Sequence, residues 1–409
     1  MRTHKLLFYV VMILLPIFLI EVSLQIINFI IPNGILSDID PSIPDKVLGH
    51  RPNPKNPDHD RNGFRNKTIP PHMDIIVLGD SQTYGTRVSR ANAWPQQLAQ
   101  CTGLTVYNMA FGGWGPVQYF LLLPEAMAKK PKIIIEAFYA GNDLFDSFSL
   151  VYTSKNGLDF LKTSDRQTLE KIAALDLQET IKKKASKADI NVAQAVKDED
   201  IFITFKSFLR NHVKIYRVIS FTKKCLWNIS FEDESKTWDN LKNFVKSHGQ
   251  QKAVILENQN IKTILTPAYR LIVVNLDDIR ISEGLEVSLK SFKIMSKMCS
   301  KQGIRFYVVL IPTKESVFSV AAHGINDLNY LSLLQNERLM WGKTKKFLQA
   351  NDILYIDSQP YLQDKLLRGL QPYSVNDDGH PNNYGHQAIV EAVCDFFKKN
   401  PAAPIGPVD

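Results

Sequence analysis

The fold is decided by Asp74-Ile75-Ile76-Val77-Leu78-Gly79-Asp80-Ser81. Isoleucine, valine and leucine follow one another here without a polar residue, which is typical of a parallel strand buried on both faces. Polar residues resume directly after Gly79. We therefore predict a buried strand over 74–79, with Ser81 just beyond its carboxyl end.

Four further apolar runs of the same kind follow along the chain, and helical patterns separate them. In these patterns apolar residues recur at steps of three and four. Alternating strands and helices predict an α/β fold, a doubly wound parallel sheet of five strands in an α/β/α sandwich. The further strands are expected at 105–108, 132–138, 304–311 and 353–356, and the helices at 91–100, 117–129, 285–301 and 331–350.

A block that is far longer than an ordinary crossover connection separates the third predicted strand from the fourth. We place a long insertion at about 146–300, within a globular domain over 72–400. Apolar periodicity predicts that the insertion is helical, with helices over 166–184 and 203–221.

The amino-terminal segment, residues 6–31, is almost wholly apolar. As a helix at ~1.5 Å per residue it reaches about 39 Å, more than the ~30 Å of a hydrocarbon core. The basic residues Arg2, His4 and Lys5 precede it, which favours a cytoplasmic amino terminus. We predict a single-pass transmembrane anchor over 1–33 that is retained in the cell membrane, with the rest of the chain in the periplasm. The alternative is a buried helix of a soluble protein.

Polar residues interrupt the second half of this segment. Glu21, Gln25 and Asn28 recur at helical spacing and form one stripe. We expect this half to emerge from the membrane or to dock on protein. Residues 34–71, rich in Pro, Asn and Asp, are predicted to form an extended connector along the surface of the domain.

Composition excludes several classes of protein. The 409 residues are 44% hydrophobic and 22% charged, which excludes a disordered chain, a collagen or a coiled coil. The net charge of +8 is modest for this length, and we predict no nucleic-acid partner. A membrane surface or an anionic glycan is an equally good partner for a chain of this charge. The cysteines do not have the spacing that is typical of a metal site, and we predict no metal and no cofactor. The cysteines are Cys101, Cys225, Cys299 and Cys394, and their pairing stays open.

A candidate nucleophile and its base stand at opposite ends of the domain. Ser81 follows the first strand, at the sheet edge where open parallel sheets bind ligands. A serine needs a base to accept its proton, normally a histidine held by a carboxylate. Asp377-Asp378-Gly379-His380 supplies both before the last helix. The alternatives are a helix N-cap role for Ser81 and a surface position for His380.

Two other strand ends offer donors for an oxyanion. Gly112 and Gly113 follow the second strand, where glycine lets backbone N–H groups approach a ligand closely. Asn142, within Gly141-Asn142-Asp143, follows the third strand and carries a side-chain NH₂. Trp114 and Tyr119 lie beside the glycines, where they would either stack on a sugar ring or belong to the core.

These residues, taken together, resemble the four blocks of the SGNH (GDSL-type) hydrolase family, in the same order. The resemblance covers roughly 74–145 and 304–399, and the upstream Leu48-Gly49 and Gly63-Phe64-Arg65 look like membrane-anchored members of that family. The insertion carries none of its motifs. The four blocks are Gly79-Asp80-Ser81, Gly113 five residues after Asn108, Gly141-Asn142-Asp143, and Asp377 or Asp378 before His380.

The resemblance implies Ser81 as nucleophile and His380 as general base. It also implies an oxyanion hole made of the Ser81 and Gly113 amides and the Asn142 side chain. The acid stays open between Asp377, at the common spacing, and Asp378, at the spacing of some relatives that acetylate envelope glycans.

The expected function is that of a serine esterase or O-acyltransferase that removes or transfers O-acetyl or other acyl groups on an extracytoplasmic polysaccharide. One alternative is a lipase or thioesterase acting on lipid esters. The other is a non-catalytic glycan-binding or envelope-assembly protein that uses the insertion as its interaction surface.

Overall fold

The computed structural model describes residues 2–30, 39–153, 157–175, 213–219, 234–249, 253–258 and 260–400. The strands are β1 (Ser42–Asp45), β2 (Gly49–Pro52), β3 (Ile75–Leu78), β4 (Val106–Asn108), β5 (Ile133–Tyr139), β6 (Val254–Glu257), β7 (Lys262–Leu265), β8 (Arg305–Ile311) and β9 (Leu354–Asp357). The helices are α1 (Arg2–Ile30), α2 (Ser81–Tyr84), α3 (Trp94–Thr102), α4 (Pro116–Ala128), α5 (Asp143–Thr153), α6 (Arg166–Ala173), α7 (214–219), α8 (Glu234–Phe244), α9 (Pro267–Val274), α10 (Ile279–Ser300), α11 (Lys314–Phe318), α12 (Leu328–Ala350), α13 (Gln359–Leu367) and α14 (Asn383–Lys399).

The central sheet has five parallel strands in the order β4-β3-β5-β8-β9. Side chains alternate between its two faces, as strand geometry requires. Ile76 and Leu78 pack into the core that α4, α10 and α12 cover. Ile75 and Val77 pack into the opposite core, against α3, α13 and α14. The predicted five-stranded parallel sheet with helices on both faces is confirmed.

The connector is more structured than the sequence analysis predicts. Residues 39–71 contain the antiparallel hairpin β1–β2, and several of their side chains are buried, Phe64 completely. Asn66 donates to the carbonyl of Asn108 and accepts from its amide, at 2.9 and 3.0 Å. Asn and Asp side chains of this segment thus form hydrogen bonds with the domain.

The insertion between β5 and β8 contains α6 to α10 and a small hairpin, β6–β7, which the sequence analysis did not predict. Its strands are only four residues long, so they offer little periodicity. The predicted helix over 166–184 is described only to residue 175, where α6 is followed by a turn. Of the helix predicted over 203–221, α7 forms a part, and residues 203–212 and 220–221 lie outside the described residues, as does Cys225.

The amino-terminal segment forms the single helix α1, which contains Pro16. Across the described part of the chain, no helix combines the length and the apolarity needed to cross a bilayer. A membrane-spanning helix, as predicted over 1–33, is thus not found among the described residues.

The polar stripe of α1 docks on protein. The Glu21 carboxylate accepts hydrogen bonds from the backbone amides of Lys214 and Ile215, each at 2.8 Å. These amides begin α7, whose first N–H groups lack partners within their own helix. Gln25 donates to the same carboxylate at 2.7 Å. The second half of α1 is thus held by the Glu21 carboxylate, which lies at the amino end of α7.

Helices α3 and α14 are joined twice. A disulfide links Cys101 to Cys394. The fully buried His386 accepts a hydrogen bond from the amide of Trp94 at 3.3 Å through Nδ1. Burial lowers the pKa of His386 from 6.5 to about 3, so the imidazole is neutral in the folded protein.

The neutral state of His386 predicts a loss of stability in acid. The unfolded chain takes up a proton below its ordinary pKa near 6.5, whereas the folded chain resists it down to about 3. This group alone therefore lowers the free energy of unfolding by about 2 kcal/mol between pH 7 and pH 5. Urea unfolding at the two pH values is expected to show a smaller loss, by that amount, in His386→Gln. Equal losses in the two proteins would contradict the assignment.

Candidate active site

The carboxyl end of β3 places Ser81 in the first turn of α2. The residue that caps this helix is Asp80, whose side chain accepts from the Gln82 amide at 2.9 Å. Gly85 ends α2 at a φ of 82°, a left-handed conformation that favours glycine. Ser81 is therefore not the N-cap, and its hydroxyl stands at the sheet edge.

His380 reaches Ser81 from the other end of the domain. Its Nε2 lies 2.9 Å from Ser81 Oγ, and its Nδ1 lies 2.7 Å from Asp378 Oδ1. The same carboxylate oxygen accepts the His380 backbone amide at 2.9 Å. A carboxylate on Nδ1 fixes the tautomer in which Nε2 can take a proton from a hydroxyl. The three side chains form a serine–histidine–aspartate triad.

The structure places Asp378, rather than Asp377, against the histidine. Burial alone would raise the pKa of Asp378, but the hydrogen bonds from His380 and the charge of Arg87 hold it well below its usual range. Arg87 forms an ion pair with the second oxygen of Asp378. Asp378 is therefore ionised wherever His380 can act as a base.

The buried Lys314 and the partly buried Arg270 hold the loop that carries Asp378 and His380. Lys314 donates to the carbonyls of Ser374, at 2.9 Å, and Asn376, and burial lowers the pKa of Lys314 to about 8. The Arg270 guanidinium packs so closely on Gly379 that a side chain there would collide with it. The sequence analysis missed both residues. The one available signal was the position of Lys314 just after β8, at the same sheet edge as Ser81.

The loop that contains Gly112 and Gly113, here called the glycine loop, lies beside Ser81. A Cβ added to Gly112 would lie 3.6 Å from Ser81 Cβ. Gly113 has a φ of 76°, which a residue with a side chain rarely adopts. The Asn142 side-chain amide donates to Asp146 at 2.7 Å. An amide nitrogen carries two hydrogens, so this bond is compatible with a second one to a ligand.

Two buried aspartates support the turns below the site. Burial raises the pKa of Asp80 to about 7, although the Gln82 amide opposes this shift. Burial and the charge of Asp80 raise the pKa of Asp143 well above its usual range. Asp143 accepts from the Tyr139 amide at 2.9 Å and so ties the end of β5 to the start of α5. Both residues serve the backbone around Ser81 and Asn142.

The aromatic residues considered for sugar stacking belong to the core. Trp114 and Tyr119 are completely buried. The Trp114 indole donates to the carbonyl of His50 at 3.0 Å, and the Tyr119 hydroxyl donates to the carbonyl of Trp114 at 3.1 Å. The stacking interpretation is therefore wrong for these two rings.

The connector also contacts the backbone that follows the helix of Ser81. Arg65 donates to the carbonyls of Tyr84 and Val88, at 3.2 and 3.1 Å, and to that of Gly85 between them. These carbonyls lie where α2 ends, so Arg65 holds the short helix that begins with Ser81. Within the described residues, no group of three or more His, Cys, Asp or Glu side chains could hold a metal ion.

Comparison with known proteins gives structural neighbours only. No protein-family model and no curated protein matches the sequence. Solved structures with a similar fold include a protein of the G-D-S-L family, described as lipolytic, from Desulfitobacterium hafniense DCB-2, at 11% identity and a TM-score of 0.33, over 78% of this chain and 97% of that one. A GDSL-like lipase from Bacteroides thetaiotaomicron is 9% identical with a TM-score of 0.32, and the match covers 80% of this chain and 87% of that one. A mutant of an acetyl-xylooligosaccharide esterase from Geobacillus is 10% identical with a TM-score of 0.33, and the match covers 82% of this chain and 95% of that one. Because each TM-score is below 0.5, the functional assignment rests on the geometry of the site.

One substitution at each aspartate tests whether Asp377 or Asp378 is the acid of the triad. A fluorophosphonate labels a serine only when that serine is activated, so its rate measures the triad. Asp378→Asn is expected to slow labelling of Ser81 at least ~10³-fold, because the tautomer of His380 is no longer fixed. Asp377→Asn, the matched control, is expected to label within a few-fold of the unmodified protein. The reverse order of rates would assign the acid to Asp377.

Proposed function

We propose that this protein is a serine esterase in which Ser81 is the nucleophile, His380 the general base and Asp378 the acid that orients it. One observation carries the proposal: His380 Nε2 lies 2.9 Å from Ser81 Oγ while its Nδ1 lies 2.7 Å from Asp378. Each distance is that of a hydrogen bond, and the three groups are connected in the order that nucleophilic catalysis needs.

The proposed reaction begins when Ser81 Oγ attacks the carbonyl carbon of an ester. Its proton passes to His380 Nε2, and the ionised Asp378 stabilises the resulting imidazolium. The negative charge develops on the carbonyl oxygen, where the amides of Ser81 and Gly113 and the side chain of Asn142 would donate to it. His380 then returns the proton to the departing alcohol, which leaves an acyl group on Ser81.

The second half of the reaction distinguishes hydrolysis from transfer. Water, deprotonated by His380, would release the acyl group as an acid. A sugar hydroxyl in the same position would instead receive it, and the enzyme would be an O-acyltransferase. The same triad serves both reactions, so the acceptor decides the class.

The proposed location is outside the cytoplasm, in the periplasm, with the chain held at the cell membrane by α1. The disulfide between Cys101 and Cys394 supports an oxidising compartment. Helix α1 exposes large apolar side chains, including Phe8, Phe18 and Ile20, which a membrane would cover. Envelope-assembly proteins remain candidate partners for the insertion.

The proposed substrate is an O-acylated polysaccharide of that compartment. The net charge of +8 supports an anionic glycan over a neutral one. The apolar surface of α1 favours the second candidate, a lipid ester, because it would keep the site near acyl chains.

Removing the nucleophile tests the esterase proposal. Ser81→Ala is expected to lower kcat for a chromogenic acetyl ester at least ~10³-fold, since a triad acts as a unit. Ser89→Ala is the control, because Ser89 is exposed on the loop after α2 and its side chain caps no helix. Equal hydrolysis by the Ser81 and Ser89 variants would contradict a serine mechanism and favour a non-catalytic binding protein.

Acyl-chain length separates the two substrate classes. With an acetylated anionic polysaccharide, released acetate is expected to exceed the amount released by Ser81→Ala. With nitrophenyl esters, kcat/KM is expected to fall from acetyl to octanoyl. A rise with chain length, together with no acetate release from the polysaccharide, would favour the lipid ester.

A further inference from the structure

We propose that His50 is a positioning residue that orients the oxyanion hole. This inference rests on the serine-esterase function proposed above. His50 lies in β2 of the connector hairpin, far in sequence from Ser81. It acts on the reaction through the peptide group between Gly112 and Gly113.

The contact is a hydrogen bond to that peptide group. His50 Nε2 lies 2.8 Å from the carbonyl oxygen of Gly112. A carbonyl oxygen can only accept, so Nε2 must carry the hydrogen. The indole of Trp114 donates back to the carbonyl of His50 at 3.0 Å. Two hydrogen bonds of opposite direction therefore join the hairpin to the glycine loop.

This bond determines the direction of the Gly113 amide. In a trans peptide the C=O and N–H groups point to opposite sides. Because the Gly112 carbonyl faces His50, the N–H of Gly113 faces away from it. Gly112 itself adjoins Ser81, since a Cβ there would lie 3.6 Å from that of the serine. The amide is thus aimed from a position beside the nucleophile.

The ring of His50 is held in place by packing. Its centroid lies 5.7 Å from that of Phe111 and 6.4 Å from that of Trp114, and the side chain is half-buried. An oxyanion hole is effective only when its donors are oriented before the charge develops. Without the His50 donor, the Gly112–Gly113 peptide loses the hydrogen bond that opposes its rotation.

Three variants of His50 test this role. His50→Phe keeps the aromatic packing and removes the donor. His50→Gln places an amide nitrogen near the position of Nε2, whereas the shorter His50→Asn does not reach it. The control is His72→Phe, because His72 is exposed and precedes β3 at the end opposite to Ser81.

The measurements are kcat and KM for a chromogenic acetyl ester, and the rate at which a fluorophosphonate labels Ser81. In labelling, Ser81 Oγ bonds to phosphorus, fluoride leaves and the proton passes to His380, while the phosphoryl oxygen occupies the oxyanion position. His50→Phe is expected to lower kcat and the labelling rate about 10- to 100-fold. KM and the thermal midpoint should remain near those of the unmodified protein. His50→Gln should recover part of the loss, and His72→Phe should lose nothing.

Other results overturn the inference. They include kcat and labelling within about 3-fold of the unmodified protein in folded His50→Phe, or a loss confined to KM. If His50→Phe does not fold, the comparison of His50→Gln with His50→Asn tests the inference. A higher kcat in His50→Gln supports the positioning role, and equal kcat values refute it. If the unmodified protein and Ser81→Ala react alike, the esterase proposal itself fails. If those two differ and the His50 variants match the unmodified protein, only this inference fails.

Discussion

The structure depends on the pairing of β3 with a strand on each side. Its four residues are completely buried and bond in parallel to β4 and to β5. Parallel pairing brings the carboxyl ends of neighbouring strands to one edge, so the loops after all three meet there. This pairing brings Ser81, the glycine loop and Asn142 to the same edge. A shift of one residue in the register would exchange the faces of the strand and move Ser81 from that edge.

The other half of the site has no strand of its own to fix it. The loop that carries Asp378 and His380 runs between α13 and α14, and two basic side chains contact it there. Lys314 binds two of its carbonyls, and Arg270 packs on Gly379. Burying a cation is costly unless its hydrogen bonds are made, so the two bonds from Lys314 favour a single conformation of the loop. Arg270 comes from the insertion, which therefore contributes a contact to the loop that carries Asp378 and His380.

The buried strands and the residues at their ends could be predicted from the sequence because each signal is local. The run 75–78 is apolar throughout, and Ser81 follows it directly. The choice between Asp377 and Asp378 could not be predicted, since it depends on how the loop folds around the carbonyls that Lys314 binds. His50 was missed for a similar reason, because it bonds to a backbone carbonyl 62 residues away. Every residue has such a carbonyl, so the residue type does not indicate which one is bound. The membrane anchor was predicted from the apolarity and length of residues 6–31 and from the basic residues before them. The hydrogen bonds that Glu21 accepts from the amides of Lys214 and Ile215 depend on the tertiary structure and could not be read from that pattern.

The disulfide has a consequence for the covalent integrity of the chain. Cys101 and Cys394 are 293 residues apart, and the whole insertion lies between them. A protease that cuts once within the insertion would leave two fragments that stay joined through α3 and α14. The loops that carry Ser81 and His380 would then remain attached to one sheet, with Ser81 on the first fragment and His380 on the second. A nicked molecule of this kind would separate into two pieces only under reducing conditions, so the insertion can be cleaved without dissociation of the protein.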